Sequence, residues 1–196
     1  MGSDMTNGGE LFDFATFPAL TTERLGLREV MPADAPDLFT FRSDAEEQKY
    51  NSDPMQTVSE AEDLIAWMRR GFAAQEMIQW AVALRETDQV IGLFGFNNWD
   101  RYHHHAEIGY DLARAYWGRR LASEALHAIV QFGFARMALH RIEAHTLAVN
   151  AESIRLLEKL GFQRDALRRE YIWELDGSYY DSTIYGLLRR DYHPPA

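Results

Sequence analysis

The chain has 196 residues, of which 46% are hydrophobic and 13% aromatic, which is enough for one packed core in a single domain. Its formal net charge is -10 and it contains no cysteine, which argues against affinity for nucleic acid phosphates and excludes disulfides and thiolate zinc sites. No apolar run approaches the roughly 20 residues that span a bilayer, so we expect a cytoplasmic protein without membrane or nucleic acid partners.

The N-terminal stretch, residues 1–18, predicts a flexible arm. It is rich in Gly, Ser, Asn and Asp, and its apolar residues show no lasting periodicity. It also lacks the basic region followed by an apolar stretch that marks a secretory signal. The remainder, residues 19–196, has no linker-like segment, and we expect it to form one domain.

The sequence pattern in the first half of that domain predicts one strand, two helices and a hairpin. Polar and apolar residues alternate over 24–30, which predicts a half-buried strand, and a helix then runs to about Arg42. A second helix is expected to start near Thr57 with capping-box spacing. Two apolar runs, 78–84 and 90–96, are separated by a short polar turn, which predicts an antiparallel hairpin.

The second half alternates strands and helices. We expect a strand over about 104–112, a long helix over about 119–137, a strand over 141–149 and a helix over 152–160. Two further strands are predicted to join around 176–178, where Asp, Gly and Ser favour a turn. The sequence therefore predicts a mixed α/β domain around one sheet.

The stretch from Tyr116 to Leu126 predicts an anion-binding turn. Gly118 lies where a strand leads into the long helix, and its bare backbone together with the positive end of the helix dipole suits a pyrophosphate. Ser123 adds a hydroxyl. The alternative is an ordinary helix start in which glycine eases a tight turn.

A second polar pair follows the strand that ends near Val149. Asn150 lies at the end of that strand, and Ser153 follows one helical turn later, so both can face a ligand at one sheet edge. The alternative is that Asn150 is only a helix cap and Ser153 a polar residue of the first turn.

The strand from His103 to Leu112 carries candidate bases. Alternation places His103, His105 and Glu107 on one face. Glu107 or His105 can take a proton from a protonated amine, while the alternatives are a structural carboxylate and solvated histidines at the strand end. A metal site at these residues is the weaker interpretation, because the chain offers no second cluster at ligand spacing.

With these motifs, the chain resembles the GNAT superfamily and, within it, the RimJ/RimL-type ribosomal-protein acetyltransferases. Gly118 fits the first glycine of the family's Gln/Arg-x-x-Gly-x-Gly/Ala loop, whereas Ala115 and Arg120 depart from that pattern. The run that begins at Asn150 and ends at Phe162 is similar to the branch's Asn-x-x-Ser…Glu-Lys-x-Gly-Phe segment.

The resemblance implies the GNAT fold, with a twisted, mixed, mostly antiparallel sheet of about six to seven strands flanked by about four helices. It implies an N-acetyltransferase in which a primary amine, with a protein N-terminus as one candidate, attacks acetyl-CoA directly in a ternary complex. Two alternatives stay open: acetylation of a small-molecule amine such as a polyamine, amino-sugar or amino acid, and a non-catalytic acetyl-CoA sensor. Either a monomer or a homodimer is expected.

The resemblance also implies roles for particular residues. Leu157 stands where many members have a tyrosine that acts as general acid. Ser153 is then the local proton donor to the CoA sulfur, with departure of the thiolate without a dedicated acid as the alternative. Asn150 orients the pantetheine arm, and Glu107 or His105 is the base. No metal ligand is expected. The residues expected to bind acetyl-CoA are Tyr110, Asp111, Leu112, Trp117, Gly118, Arg119, Arg120, Leu121, Ala122, Ser123, Asn150 and Ser153.

Overall fold

The computed structural model describes residues 12–174 and 177–194, and their strands form one eight-stranded sheet in the order β1-β2-β3-β4-β5-β6-β8-β7. The strands are β1 (Leu20–Thr21), β2 (Leu25–Glu29), β3 (Ile78–Leu84), β4 (Val90–Asp100), β5 (His105–Leu112), β6 (Arg141–Leu147), β7 (Gln163–Trp173) and β8 (Tyr179–Leu188). The α-helices are α1 (Ala35–Arg42), α2 (Ala45–Gln48), α3 (Val58–Ala73), α4 (Leu121–Arg136) and α5 (Ala151–Lys159).

The predicted α/β class is confirmed. The described residues form eight strands and five α-helices, where six to seven strands and about four helices were expected. The added strand, β1, has two residues, and the added helix, α2, has four. Asp44 caps the N-terminus of α2, and its carboxylate accepts hydrogen bonds from the backbone N–H groups of Glu46 and Glu47 at 2.8 and 3.1 Å. Elements this short have no periodicity from which a sequence could predict them.

Strands β5 and β6 form the single parallel pair among the described strands, and the pair is short. The register joins His105 to Arg141, Ala106 to Ile142 and Glu107 to Glu143. Beyond these residues the described strands are not paired with each other, and each pairs only with its antiparallel neighbour on the other side. The sheet therefore splits open toward the C-terminal ends of β5 and β6.

Helices cover the two faces of the sheet unequally. One face packs against α4 and the end of α5 around fully buried Trp80, Phe94 and Phe96. The other face packs against α1 and α3 only over the strands β2 to β4. Within the residues that the structure describes, no helix combines the length and the apolar character needed to cross a membrane.

From residue 12 onward, the N-terminal segment packs against the core, whereas the sequence predicted a flexible arm there. Phe12, Phe14 and Phe17 contact the core, and the indole N–H of Trp80 donates a 2.7 Å hydrogen bond to the carbonyl of Pro18. Burial of three phenylalanine rings offsets the entropy of ordering this stretch. The rest of the predicted arm, residues 1–11, lies outside the described residues.

A buried ion pair ties the helices to the end of β5. Arg42 Nε of α1 lies 2.8 Å from Asp111 Oδ2, and the amide of Gln48 in α2 donates to the same oxygen at 3.0 Å. Burial raises the pKa of Asp111, while Arg42 and the amide hydrogen bonds oppose that shift. The pair fixes α2 beside the open end of β5.

We expect Asp111→Ala to lower the free energy of unfolding by about 3 kcal/mol, because it leaves the Arg42 guanidinium buried without its counter-ion. Chemical denaturation measures this loss. The control is Glu152→Ala, since Glu152 pairs with Arg155 on helix α5 while its own side chain is 60% exposed, and it should cost under about 1 kcal/mol. Equal losses for the two variants would contradict the structural role of the buried pair.

Candidate active site

A cleft of about 630 Å³ lies in the split between β5 and β6. Its walls are formed by strand β5, the C-terminal end of β6, the start of α4, one face of α5 and the segment around α2. Arg119 alone among the residues expected to bind acetyl-CoA is outside the lining. The predicted residues that line the cleft are Glu107, Tyr110, Asp111, Leu112, Trp117, Gly118, Arg120, Leu121, Ala122, Ser123, Asn150 and Ser153.

The turn before α4 opens an anion site toward this cleft. Gly118 and Arg120 both have left-handed backbone conformations, with φ of 73° and 63°. Because the backbone of Arg120 is left-handed, α4 begins at Leu121, two residues later than predicted. The free backbone N–H groups of the first turn of α4 therefore lie at the cleft. A Cβ built on Gly118 would meet no described atom within 4 Å. The turn therefore leaves space for a phosphate group to approach the backbone.

Trp117 and Arg119 stabilise the turn itself. The indole N–H of Trp117 donates a 2.6 Å hydrogen bond to the carbonyl of Leu112, which ties the turn to the end of β5. The guanidinium of Arg119 lies 5.3 Å from the ring centre of Tyr116. Arg119 thus contacts an aromatic ring beside the cleft, and its predicted role as a ligand residue stays a prediction.

Basic side chains that sequence reasoning missed add positive charge to the cleft. Arg114, Arg155 and Lys159 line it together with Arg120. Arg155 and Lys159 lie four residues apart on α5, so helical spacing downstream of Asn150 was the signal that placed them on one face. The carboxylates of Glu46, Glu47, Glu107, Asp111 and Glu152 also line the cleft, so the preference for an anionic ligand rests on the turn before α4 and not on an excess of positive charge.

Asn150 and Ser153 are held in place by a helix cap. Asn150 is the N-cap of α5, and its side-chain oxygen accepts a 3.1 Å hydrogen bond from the backbone N–H of Ser153. The capping alternative drawn from the sequence is therefore present in the structure, and both residues line the cleft as well. The cap fixes the amide plane of Asn150, so that its N–H₂ group can donate to a ligand.

The side chain of Tyr110 on β5 contacts Ser153. The hydroxyl oxygens of Tyr110 and Ser153 lie 2.7 Å apart. Burial raises the pKa of Tyr110 to about 12, with the hydrogen bond to Ser153 acting in the opposite direction. Leu157, at the position where many family members carry tyrosine, is 1% exposed and packs in the core. From the sequence, Tyr110 was expected only to bind acetyl-CoA, and its contact with Ser153 was not foreseen.

Glu107 lies on the sheet face opposite α4, because its neighbours Ala106 and Ile108 point into the α4 core. Its carboxylate accepts a 3.1 Å hydrogen bond from the side-chain amide of Asn98. His145 of β6, a residue that sequence reasoning missed, places its Nδ1 3.8 Å from the other carboxylate oxygen and also lines the cleft.

His105, the alternative base, lies outside the cleft lining. Its Nε2 is 4.0 Å from Asp100 Oδ2, and its ring stacks on His103 with the ring centres 6.3 Å apart. Among the described residues, no group of three His, Asp or Glu side chains is arranged to hold a metal ion. Of the two candidate bases, Glu107 is therefore the one that faces the cleft.

The chain is similar to known acetyltransferases in sequence. The sequence matches the profile of the acetyltransferase (GNAT) domain over residues 24–163. The uncharacterized N-acetyltransferase p20 of Bacillus licheniformis is 40% identical over 174 residues, which cover 88% of this chain and 97% of that protein. The [ribosomal protein uS5]-alanine N-acetyltransferase of Escherichia coli (strain K12) is 27% identical over 184 residues, which cover 89% and 93%.

A solved structure shows the same fold. The microcin C7 self-immunity acetyltransferase MccE, in complex with acetyl-CoA and AMP, is similar with a TM-score of 0.77 at 18% identity, over 85% of this chain and 93% of that one. The predicted resemblance to ribosomal-protein acetyltransferases is confirmed by the relative from Escherichia coli. The profile match and the identity with p20 together show that the chain belongs to the GNAT family of N-acetyltransferases.

Proposed function

We propose that this N-acetyltransferase transfers the acetyl group of acetyl-CoA to the N-terminal amine of a protein. The observation that carries the proposal is the convergence of three features in one cleft: the anion-binding turn at Gly118, the hydroxyl pair of Tyr110 and Ser153, and the carboxylate of Glu107. These features match the three parts of the reaction, which are the charged end of CoA, the leaving sulfur and the protonated amine.

Acetyl-CoA fits the wall formed by α4 and β5. The N-terminal turn of α4 and the basic side chain of Arg120 suit the pyrophosphate, because backbone N–H groups and the helix dipole both favour negative charge there. The edge of β5 that β6 leaves unpaired beyond Glu107 suits the pantetheine amides, which can add to it as a further strand does. Asn150 donates to the same arm.

Glu107 acts on the acceptor. A primary amine arrives protonated near neutral pH, and Glu107 accepts one proton from it. The freed nitrogen lone pair attacks the thioester carbonyl carbon, the carbon–sulfur bond of the resulting adduct breaks, and the sulfur leaves as a thiolate. Because the chain contains no cysteine, a covalent acetyl-cysteine intermediate is excluded. The direct attack proposed here requires both substrates to be bound together.

Ser153 and Tyr110 stabilise the leaving sulfur. A serine hydroxyl is a far weaker acid than a thiol, so Ser153 serves as a hydrogen-bond donor to the thiolate rather than as the source of its proton. Burial keeps Tyr110 protonated, since its pKa is raised to about 12. Its phenol donates to the Ser153 oxygen and directs the serine proton toward the sulfur. The second amine proton ends on the sulfur and gives neutral CoA.

A protein N-terminus is the proposed acceptor for two reasons. The relative from Escherichia coli acts on an alanine of ribosomal protein uS5. In addition, the sheet face around Glu107 is open, with the side chains of Glu107, Glu143 and His145 each about a third exposed at 27, 30 and 32%. An open face of this kind admits the end of a long chain.

We expect acetyl-CoA to raise the melting temperature, because a ligand that binds only the folded state stabilises it by mass action. NADH should shift it less. With acetyl-CoA present, a peptide with a free N-terminal alanine should release CoA thiol, and the same peptide blocked at its N-terminus should not. Turnover restricted to polyamines, amino-sugars or free amino acids would contradict the proposed acceptor, and cofactor binding without any turnover would contradict enzymatic function.

Replacing Gly118 with valine should weaken acetyl-CoA binding about tenfold, the equivalent of one lost backbone hydrogen bond, since the side chain fills the space left for a phosphate. Isothermal titration measures the change. Gly177→Val is the matched control, because Gly177 has a similar φ of 80° outside the cleft lining. Arg120→Gly should raise the free energy of unfolding by roughly 1 kcal/mol, because glycine adopts the left-handed backbone conformation without strain. Parental affinity in Gly118→Val would refute the phosphate site.

Ser153→Ala should lower kcat roughly ten- to a thousandfold with little change in KM for acetyl-CoA, as expected for a donor to a charge formed during the reaction. Tyr110→Phe should lower kcat by about tenfold, the effect of one hydrogen bond. Asn150→Ala should chiefly raise KM for acetyl-CoA. The control is Tyr192→Phe, which removes the hydroxyl of a partly buried tyrosine outside the cleft. This variant should keep the parental kcat and KM. An unchanged kcat in Ser153→Ala would exclude this role.

A further inference from the structure

We infer that His145 carries the amine proton away from Glu107, an inference that rests on the proposed function. A row of polar side chains crosses the open sheet face from β4 to β7, and His145 lies in its middle. Neither the family comparison nor the sequence motifs assign this residue a role. The position of His145 between two carboxylates is the basis for assigning it this role.

The distances define a continuous row. Asn98 donates to one oxygen of Glu107 at 3.1 Å, and the other oxygen is 3.8 Å from His145 Nδ1. On its far side, His145 Nε2 is 3.9 Å from Glu143 Oε2. The remaining oxygen of Glu143 accepts a 2.7 Å hydrogen bond from Arg141 Nε. Each ring nitrogen of His145 therefore faces a different carboxylate.

Strand register produces this arrangement. Glu107 and Glu143 are partners at the last paired position of β5 and β6. His145 is two residues further along β6, so it points to the same face as Glu143. Because the strands diverge at this point, its ring lies across the start of the split, beside the cleft and within reach of Glu107. A ring on a fully paired strand would lie further along the sheet.

The charged groups that the structure places next to His145 lie on β5 and β6. Glu107 faces it from β5 and Glu143 from β6. Arg141 is shared between Glu143 and Asp165 of β7, and this holds Glu143 in place. His145 Nδ1 lies 3.8 Å from the Glu107 carboxylate, so a proton that leaves Glu107 has an acceptor nitrogen nearby.

The proposed transfer balances in protons. The ammonium gives one proton to the Glu107 carboxylate, and Glu107 passes it to His145 Nδ1. The Nε2 proton then leaves to Glu143 or to solvent, and the imidazole returns to the neutral form. Separations of 3.8 and 3.9 Å are longer than direct hydrogen bonds, so a bridging water or a small ring rotation completes each contact. Histidine is suited to this task because it exchanges protons near neutral pH.

The test compares His145→Ala with two other histidine variants in the full-length protein, with acetylated peptide measured by mass spectrometry. His145→Ala should lower kcat roughly ten- to a hundredfold, within the range for assisted proton transfer, and leave KM for acetyl-CoA unchanged. Added imidazole at millimolar concentration should restore part of the rate. His140→Ala, at an exposed position just before β6, should keep the parental rate with and without imidazole.

Each outcome decides the assignment. A parental rate in His145→Ala would overturn the relay while the proposed function stands. A lower rate that imidazole does not restore, or loss and restoration in His105→Ala instead, would also overturn it. His145→Gln, which keeps side-chain volume and hydrogen bonding, guards against misfolding, and its rate should fall likewise. If the parent protein itself acetylates no peptide or amine, the proposed function fails, and the relay fails with it.

Discussion

The early separation of β5 from β6 is the constraint on which the site depends. A backbone N–H or C=O group in a protein interior needs a partner, and a strand that loses its neighbour needs another one. Here the two strands share only three register pairs before they part. The split creates the cleft, leaves an edge of β5 for an extended ligand arm, and brings the start of α4 and the start of α5 to opposite sides of one space.

The walls of this space have different chemistry. The α4 side supplies backbone N–H groups and basic residues, which suit a phosphorylated ligand. The α5 side supplies Asn150 and Ser153, whose geometry is fixed by a helix cap and by the phenol of Tyr110. The open sheet face supplies Glu107 and His145. In the proposed reaction, donor binding, departure of the sulfur and uptake of the amine proton are assigned to three separate surfaces that meet at the split.

Features that depend on neighbouring residues were predictable from the sequence. The Gly118 turn, the cap at Asn150 and the apolar periodicity of α3 and α4 are local, so their residue types indicate them directly. Two contacts were not predictable in this way. Tyr110 meets Ser153 across 43 positions of sequence, and His145 meets Glu107 only because of the parallel register. Such contacts depend on strand pairing, which one sequence without tertiary information does not determine.

The most direct test of the central claim, that the split between β5 and β6 is the acetyl-CoA site, is amide hydrogen exchange with and without acetyl-CoA. The account predicts slower exchange at residues 109–112 of β5 and at residues 118–123 before and within the first turn of α4, because both segments would gain hydrogen-bond partners. Exchange at residues 97–102, which line a second cleft near the end of β4, should not change. Protection at 97–102 without protection at 109–112 would contradict the account.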